Sequence, residues 1–345
     1  MGRVSSAETS TGTPHVVICT TGGTITASTG PGGVVTAGGS GAATEAVLAG
    51  LREVLPATIR VSARAVLDGD SSAFGPAEWD AIADAVADVL ADSGVAGVVV
   101  THGTDTLEET AMALDLLHDD PRPVAVTGAQ RAADHPEADG PANLLDAVLL
   151  AADPVSRDLG VLVVMGRAIL QARGVRKWHT TDPVGFARNA PDVPIEGLPA
   201  ELERPVLPER PRFADARVDV VACPPGADAA ALRACVDAGA RGLVLEGLGS
   251  GNLPPLVAEA VRALAADRPD VVVAVSSRVP RGEATATYGG RGGGAELAPR
   301  GVLTCGYLRS GQARVLLAGL LACAGDGPDA ADEVRRQWSR YHLYA

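Results

Sequence analysis

The chain is poor in positive charge and contains almost no lysine. Its 345 residues include 29 Lys or Arg against 42 Asp or Glu, which gives a net charge of −13, and Lys177 is the only lysine. Because nucleic-acid binding requires a basic face for the phosphates, this charge argues against a nucleic-acid partner. A single lysine in an arginine-containing chain suggests a role that a guanidinium cannot fill, such as a tuned base or a proton relay.

Cysteine and long apolar runs are scarce as well. The five cysteines are odd in number and scattered, without a CxxC pair or a Cys/His cluster, so a disulfide framework or a metal site is not expected. No apolar run approaches the roughly 20 residues of a membrane helix. Residues 1–14 are polar, lack the apolar segment of a signal peptide and are predicted to form a disordered tail. These features predict a cytoplasmic protein without a membrane partner.

The length of 345 residues predicts two domains, because one core usually serves about 100–200 residues. Apolar strand-like runs alternate with helical patterns, which predicts an α/β fold with a mostly parallel sheet covered by helices on both faces. A stretch rich in Pro, Glu and Arg interrupts this alternation. We therefore expect a larger N-terminal α/β domain at 15–190, a linker at 191–216 and a smaller C-terminal α/β domain at 217–345.

Individual elements follow from periodicity and from turn residues. In the first domain, strands are expected at 16–21, 59–67, 98–100, 124–129 and 161–165, with 168–171 as a hairpin partner. Helices are expected at 45–55, 76–91, from 106 onward with Thr106 and Glu109 as a capping box, and at 139–151. In the second domain, strands are expected at 218–222, 242–246 and 271–276, and helices at 227–238, 254–266 and 312–322.

Four predicted strands of the first domain end in residues suited to chemistry. They are Thr21, the 70–72 segment with Ser71 and Ser72, the pair Thr104 and Asp105, and Gly128 with Ala129. Ligands of parallel sheets bind at the carboxyl ends of the strands. We call the residues at the carboxyl end of a strand its exit, and we expect these four exits to lie along one edge of the sheet. A hydroxyl nucleophile needs a partner for its proton and donors for an oxyanion, and this edge contains candidates for both.

Two segments carry a resemblance to a known family, TTGGTI at 20–25 and THGTDTLEET at 101–110. They resemble the signatures of bacterial-type L-asparaginases, the asparaginase/glutaminase family. Further segments of similar appearance cover most of the chain: GAQR at 128–131, ADGPANL at 138–144, GVLVVM at 160–165, TTD at 180–182, GSGNL at 249–253, SRVP at 277–280 and QARVLL at 312–317.

The resemblance implies hydrolysis of L-asparagine to L-aspartate and ammonia, with some glutaminase activity and without a cofactor or a metal. Thr21 would be the nucleophile and form an acyl-enzyme. Thr104, Asp105 and Lys177 would activate water or relay protons. Substrate-binding residues would be Ser71, Ser72, Asp105, Ala129, Asn252 and Tyr288, with the backbone around Thr104 and Ala129 forming the oxyanion hole. Asn252 and the 281–294 segment would reach a neighbouring subunit's site in a homotetramer built from tight dimers.

The chain departs from the family pattern at three places. The family usually has a tyrosine in the lid after the first signature, whereas residues 26–60 contain none. Ser72 stands where a glutamine often follows the substrate-binding serine, and Ala73 stands where an aspartate is common. Tyr288 lies where many relatives have an acidic residue that binds the substrate amine. We hypothesise that Tyr288 partly substitutes, by activating Thr21 or lining the pocket of a neighbouring subunit.

Other interpretations of these residues remain open. His102 is expected to be a structural hydrogen-bonding residue and Trp79 a core residue, while Asp105 could also cap the helix that follows it. A Ser71–His102–Asp105 triad is conceivable, but no GxSxG surrounds Ser71. Two alternative functions are a catalytically silent amino-acid-binding protein of the same fold and the ammonia-generating subunit of an amidotransferase.

Overall fold

The computed structural model describes residues 12–36, 42–189 and 204–342. Most of the predicted tail, residues 37–41, residues 190–203 with the first part of the predicted linker, and the last three residues lie outside the described part. The described chain is α/β, as the sequence predicts.

Ten strands and four helices precede the predicted linker in the described chain. The strands are β1 (His15–Gly22), β2 (Ser28–Thr29), β3 (Val35–Thr36), β4 (Arg60–Gly69), β5 (Val95–Thr101), β6 (Val124–Thr127), β7 (Val161–Met165), β8 (Ala168–Gln171), β9 (Val175–Lys177) and β10 (Phe186–Arg188). The helices are α1 (Ala42–Val54), α2 (Pro76–Leu90), α3 (Leu107–Leu117) and α4 (Gly140–Ala152).

The main sheet has six strands in the order β4-β1-β5-β6-β7-β8. All neighbours pair in parallel except β7 and β8, which form the predicted antiparallel hairpin. Side chains of β1 alternate between two cores because successive residues of a strand point to opposite faces. Val17 and Cys19 join the core that contains α2 and α3, whereas Val16 and Ile18 join the core that contains α4. The sheet is therefore covered on both faces, as predicted.

The start of α3 differs from the sequence prediction. The helix begins at Leu107 with Thr106 as its N-terminal cap residue, but Thr106 makes no capping bond with its side chain. Its hydroxyl donates instead to the carbonyl of Ser71, at 2.7 Å. The predicted Thr106–Glu109 capping box is thus wrong, because a tertiary acceptor takes the hydroxyl. A carboxylate at the third helical position does bond back to the cap at α2, where Glu78 accepts from the Gly75 N–H at 2.8 Å.

The second half of the described chain contains a four-stranded parallel sheet in the order β11-β12-β13-β14. The strands are β11 (Val218–Ala222), β12 (Gly242–Gly247), β13 (Val272–Ser277) and β14 (Leu303–Thr304). The helices are α5 (Ala230–Asp237), α6 (Pro255–Asp267), α7 (Gly294–Leu297), α8 (Ser310–Ala324) and α9 (Ala330–His342). The helix predicted from residue 227 begins three residues later. Helix α9, which was not predicted, buries Val334, Trp338 and Tyr341 at helical spacing.

The two halves are in extensive contact. Trp79 of α2 is buried, as predicted, and stacks edge-on against Phe213 with ring centroids 6.1 Å apart. The guanidinium of Arg314, on α8, lies 5.3 Å from the centre of the same indole ring. Helix α8 packs on α3 on one side and on β11 and β12 on the other. The helix that follows the THGTDT turn is therefore in direct contact with the C-terminal half.

A buried carboxylate of α3, that of Asp115, binds two arginines, one of which lies in the predicted linker. Asp115 accepts hydrogen bonds from Arg173 at 2.7 Å, from Arg204 at 2.8 Å and from the Val161 N–H at 3.1 Å. Burial alone would raise the pKa of Asp115, but the two guanidinium groups and the N–H hold it below its usual range. Asp115 is therefore ionised and paired, as a buried charge must be.

All five cysteines are free thiols, and Cys19, Cys223 and Cys305 are buried. Within the described ranges, no helix is long and apolar enough to cross a bilayer.

Candidate active site

The four strand exits predicted to carry chemistry lie on four adjacent strands. β4, β1, β5 and β6 are contiguous in the sheet and parallel, so their carboxyl ends lie along one edge. Thr21 is the last residue but one of β1, Ser71 follows β4, Thr104 follows β5 and Ala129 follows β6. Gly23 and Gly103 allow the β1 and β5 exits to approach closely. A Cβ atom on Gly23, whose φ is 91°, would lie 2.6 Å from the Gly103 nitrogen.

Thr21 is fully buried at this edge. Its hydroxyl donates a hydrogen bond to the Thr101 carbonyl on the adjacent strand β5, at 2.9 Å. This bond fixes the hydroxyl proton and leaves the oxygen lone pairs free to face another group. A substrate would have to displace this contact, or a base would have to take the proton, before the oxygen could attack.

The only lysine, Lys177, ends strand β9, and its side chain reaches the turn that follows β5. The Lys177 ammonium donates to the Thr104 hydroxyl and to the Asp105 carboxylate, both at 2.8 Å. Lys177 is 72 residues away from Asp105 in sequence, and strand β9 brings it there. The Lys177 side chain is 20% exposed and that of Asp105 is 58% exposed, so the pair sits at the mouth of the site while Thr104 is buried. Asp105 is engaged by the ammonium, and the cap position of α3 falls to Thr106.

Gln130 belongs to this cluster, although it was not among the residues expected there. The Thr104 hydroxyl donates to the Gln130 amide oxygen at 3.2 Å, while it accepts from Lys177. The Gln130 amide nitrogen in turn donates to the His179 carbonyl at 3.3 Å, in the loop that joins β9 to β10. Gln130 directly follows the Ala129 exit, so the rule that strand exits carry chemistry could have found it.

The loop that carries Ala129 and Gln130 is held by the residues at the start of α4. The Asp139 carboxylate accepts from the N–H groups of Gln130 and Arg131 at 2.9–3.1 Å. The Asn143 amide donates to the Gly128 carbonyl at 3.0 Å. Through these bonds the ADGPANL segment fixes the backbone of the GAQR segment at the β6 exit.

Ser71 and Ser72 differ in their surroundings. Ser71 is buried, and a Cβ atom on Gly103 would lie 2.5 Å from its hydroxyl oxygen, so Ser71 borders the THGTDT turn. Ser72 is exposed, and its N–H donates to the Asp70 carboxylate at 2.9 Å, which closes a short turn. Of the two serines, Ser71 is the one in contact with the turn that carries Thr104.

His102 has the structural role expected from the sequence. It is fully buried, and its two ring nitrogens bond to the Gly103 carbonyl at 2.7 Å and to the Thr110 hydroxyl at 2.9 Å. Burial lowers the pKa of His102 to about 4, so the ring is neutral at physiological pH. With both nitrogens engaged in this way, His102 is not placed to serve a Ser71–His102–Asp105 triad.

Two predicted substrate-binding residues lie in the C-terminal half. Asn252 forms an isolated backbone bridge with Leu248, and Tyr288 is 60% exposed while its carbonyl accepts from the Ala295 N–H at 3.1 Å. The contacts described for them are with their own domain, and none joins them to Thr21 or to Lys177 in the same chain. The role of Asn252 and Tyr288 in a neighbouring subunit therefore stays a prediction.

The part of the chain that the structure describes contains no group of three His, Cys, Asp or Glu side chains that could hold a metal ion. The polar groups gathered at the sheet edge are hydroxyls, carboxylates, an amide and one ammonium. This set is typical of hydrolytic enzymes that use a hydroxyl nucleophile and a proton relay.

The fold and the edge cluster thus describe a two-domain α/β protein with a hydroxyl–carboxylate–amine site. Family models for the asparaginase N-terminal domain and for the glutaminase/asparaginase C-terminal domain match residues 15–197 and 217–334. The chain therefore belongs to the asparaginase family, as the sequence motifs indicated.

Individual relatives agree with this assignment. The chain is 38% identical to an L-asparaginase of Bacillus licheniformis over 251 residues, which are 69% of this chain and 75% of the relative. It is 34% identical to a probable L-asparaginase of Deinococcus radiodurans over 89% of this chain and 93% of the relative. The crystal structure of a probable cytoplasmic L-asparaginase from Campylobacter jejuni superimposes with a TM-score of 0.79 at 26% identity, over 96% of this chain and 99% of that one.

Proposed function

We propose that this protein is an amidohydrolase that converts L-asparagine to L-aspartate and ammonia, with a lesser activity on L-glutamine. The observation that carries the proposal is the ammonium of Lys177, which lies 2.8 Å from both the Thr104 hydroxyl and the Asp105 carboxylate. This cluster follows β5, the strand adjacent to β1 and Thr21. Membership of a family whose relatives are described as L-asparaginases supports the choice of substrate.

In the proposed reaction the Thr21 oxygen attacks the side-chain amide carbon of the substrate. The new C–O bond and the breaking C–N bond give an acyl-enzyme ester, and the hydroxyl proton passes to the leaving nitrogen, which departs as ammonia. Water, deprotonated with the help of Thr104, Asp105 and Lys177, then hydrolyses the ester and returns a proton to the Thr21 oxygen. The backbone N–H of Thr104 and the backbone around Ala129 would hold the oxyanion.

Substrate recognition completes the proposal. Ser71 and Asp105 would hold the α-carboxylate and the α-amino group, with Ser72 beside them. Asn252 and Tyr288 would complete the site of a neighbouring subunit in a homotetramer, and the enzyme would act in the cytoplasm. Light scattering tests the assembly, and unchanged turnover of Tyr288→Phe would remove Tyr288 from the mechanism.

The experiment that tests the function compares ammonia release from asparagine and glutamine by the wild type and by Thr21→Ala. We expect the alanine variant to lose about 10³-fold or more, because a covalent route needs its nucleophile. Equal rates for both proteins would contradict the proposed nucleophile. Tight asparagine binding without any release by the wild type would favour a silent amino-acid-binding protein. Release only in the presence of a partner protein and tRNA would favour the amidotransferase alternative.

A further inference from the structure

A second carboxylate contacts the lysine strand, at its backbone instead of its ammonium. The half-buried side chain of Glu108, in the first turn of α3, accepts a hydrogen bond from the Lys177 N–H at 2.5 Å. Glu108 lies only three residues after Asp105. The THGTDTLEE stretch therefore contacts Lys177 twice: Asp105 accepts from the side-chain ammonium and Glu108 accepts from the main-chain N–H. No sequence pattern indicated a role for Glu108.

The geometry of the β9–β10 ribbon explains why this N–H needs an external acceptor. In an antiparallel pair, successive N–H groups point alternately toward the partner strand and away from it. The Trp178 N–H points toward the partner strand and bonds to the Gly185 carbonyl at 2.6 Å, and Lys177 pairs opposite Phe186. The N–H of Lys177 therefore points away from β10, and the Glu108 carboxylate satisfies it.

A buried glutamine fixes the relative position of the same two segments from the other side. The Gln312 amide, on α8, donates to the Glu108 carbonyl at 3.0 Å and to the Ala172 carbonyl at 2.7 Å, and it accepts from the Gly174 N–H at 2.7 Å. Gln312 thus links helix α3 to residues 172–174, which directly precede strand β9. The Glu108 side chain is then the contact that sets the end of this short strand.

We infer that Glu108 is a positioning residue for Lys177, which holds the lysine main chain so that its ammonium meets Thr104 and Asp105. The inference rests on the proposed function for its kinetic consequence, but not for its structural one. Strand β9 is only three residues long and ends at Lys177. A released N–H would let the strand end move, and the ammonium would lose the simultaneous 2.8 Å contacts with the hydroxyl and the carboxylate.

The surroundings of Glu108 change its pKa but are compatible with its hydrogen bond to the Lys177 N–H. Burial, and the neighbouring carboxylate of Glu109, raise the pKa of Glu108 to about 8, against the opposing effect of the Lys177 N–H and of the charges of Arg176 and Lys177. A carboxyl oxygen accepts a hydrogen bond in the neutral form as well as in the ionised form. An amide of the same shape is therefore the variant that keeps the bond and removes the acid.

The kinetic test compares Glu108→Ala, Glu108→Gln and, as a matched control, Glu109→Ala. We expect Glu108→Ala to lower kcat for asparagine by about 10- to 100-fold with little change in KM, because a displacement of about 1 Å in a catalytic group costs this much. Glu108→Gln should recover most of the loss, since its amide oxygen can accept the same N–H. Glu109→Ala removes the same side chain one position later and should stay within about threefold of the wild type.

A second measurement does not depend on turnover. Because Lys177 is the only lysine, an amine-reactive ester followed by peptide mass spectrometry reports on its ammonium alone. We expect the labelling of Lys177 to accelerate by about threefold or more in Glu108→Ala, since an amine released from Thr104 and Asp105 is more accessible. Glu108→Gln and Glu109→Ala should label at the wild-type rate. If Glu108→Ala does not fold, Glu108→Asp takes its place, because it keeps a carboxyl group but shortens its reach.

The outcomes separate this inference from the proposed function. A folded Glu108→Ala with wild-type kcat and wild-type labelling overturns the positioning role. Glu108→Gln impaired as deeply as Glu108→Ala also overturns it, because the acid group and not the position of Lys177 would then matter. An inactive wild type overturns the proposed function alone, and labelling still decides whether Glu108 positions Lys177.

Discussion

Lysine 177 offers the most direct test of the candidate site, through its replacement by methionine. The variant keeps an unbranched side chain of similar length and removes both donors of the ammonium. The bond to the buried Thr104 hydroxyl is charge-assisted and worth about 1.5–3 kcal/mol. Because the Asp105 side chain is 58% exposed, its ion pair with Lys177 adds at most about 1 kcal/mol.

If both bonds are present in the transition state, they stabilise it by about 2–4 kcal/mol in total. At 1.36 kcal/mol for each tenfold change in rate, we expect kcat for asparagine to fall by about 30- to 1,000-fold. This range overlaps the 10²–10⁴-fold that proton transfer by a positioned side chain typically contributes. Thr104 would keep its bond to Gln130, so the hydroxyl should stay in place while its proton-relay partner is lost.

The assay is steady-state ammonia release from asparagine and glutamine, with thermal unfolding measured in parallel. Lys177→Arg is the matched control for charge, and we expect it to be impaired as well, because a planar guanidinium cannot replace a point charge between two oxygens. A Lys177→Met variant that unfolds at the wild-type temperature and turns over asparagine within about threefold of the wild-type rate would refute the proposed relay.

Three further predictions concern the frame of the site. Asp115→Asn should lower the free energy of unfolding in urea by about 3–5 kcal/mol, because two buried guanidinium groups lose their counter-charge. Since the native pKa of Asp115 lies below its usual value, its contribution is present above about pH 4 and is lost as the pH falls through the native pKa; an unchanged acid midpoint in the variant would contradict this. Gly23→Ala should destabilise by about 1–3 kcal/mol or more, since its φ is 91° and its Cβ would lie 2.6 Å from the Gly103 nitrogen; wild-type urea stability would argue against this. Gln130→Leu should lower kcat by about tenfold with unchanged folding, because Thr104 loses a bond of about 1 kcal/mol that directs its hydroxyl proton; wild-type kcat would remove Gln130 from the site.

Much of the fold could be read from local patterns. Apolar runs such as Val98–Val100 and alternating helical stripes predicted the α/β architecture, because burial on both sheet faces imposes these patterns on any parallel strand. Where local rules failed, a tertiary partner had intervened. Thr106 had the pattern of a capping box, yet its hydroxyl donates to Ser71, 35 residues away.

Some residues of the candidate site could likewise be found from local patterns, and others only from tertiary contacts. Strand exits drew attention to Thr21, Ser71 and Thr104, and the composition drew attention to Lys177, before any geometry was known. Glu108 carried no local signal of a role in the site, and the only signal for Gln130 was its position directly after the β6 exit. Gln130 and Glu108 each bond to an atom that is 26 or 69 residues distant in sequence, and hydrophobic periodicity does not report such contacts.

By itself, the sequence determined which residue types stand at the carboxyl ends of the parallel strands, since each exit lies within a few residues of its strand. The tertiary structure alone decided that β4, β1, β5 and β6 are neighbours, that β9 delivers the only lysine to Thr104 and Asp105, and that Glu108 holds the lysine main chain. The physical reason is one of range. Strand and helix patterns arise from burial along a few residues, whereas hydrogen bonds act over about 3 Å between groups whose meeting depends on the whole chain being folded.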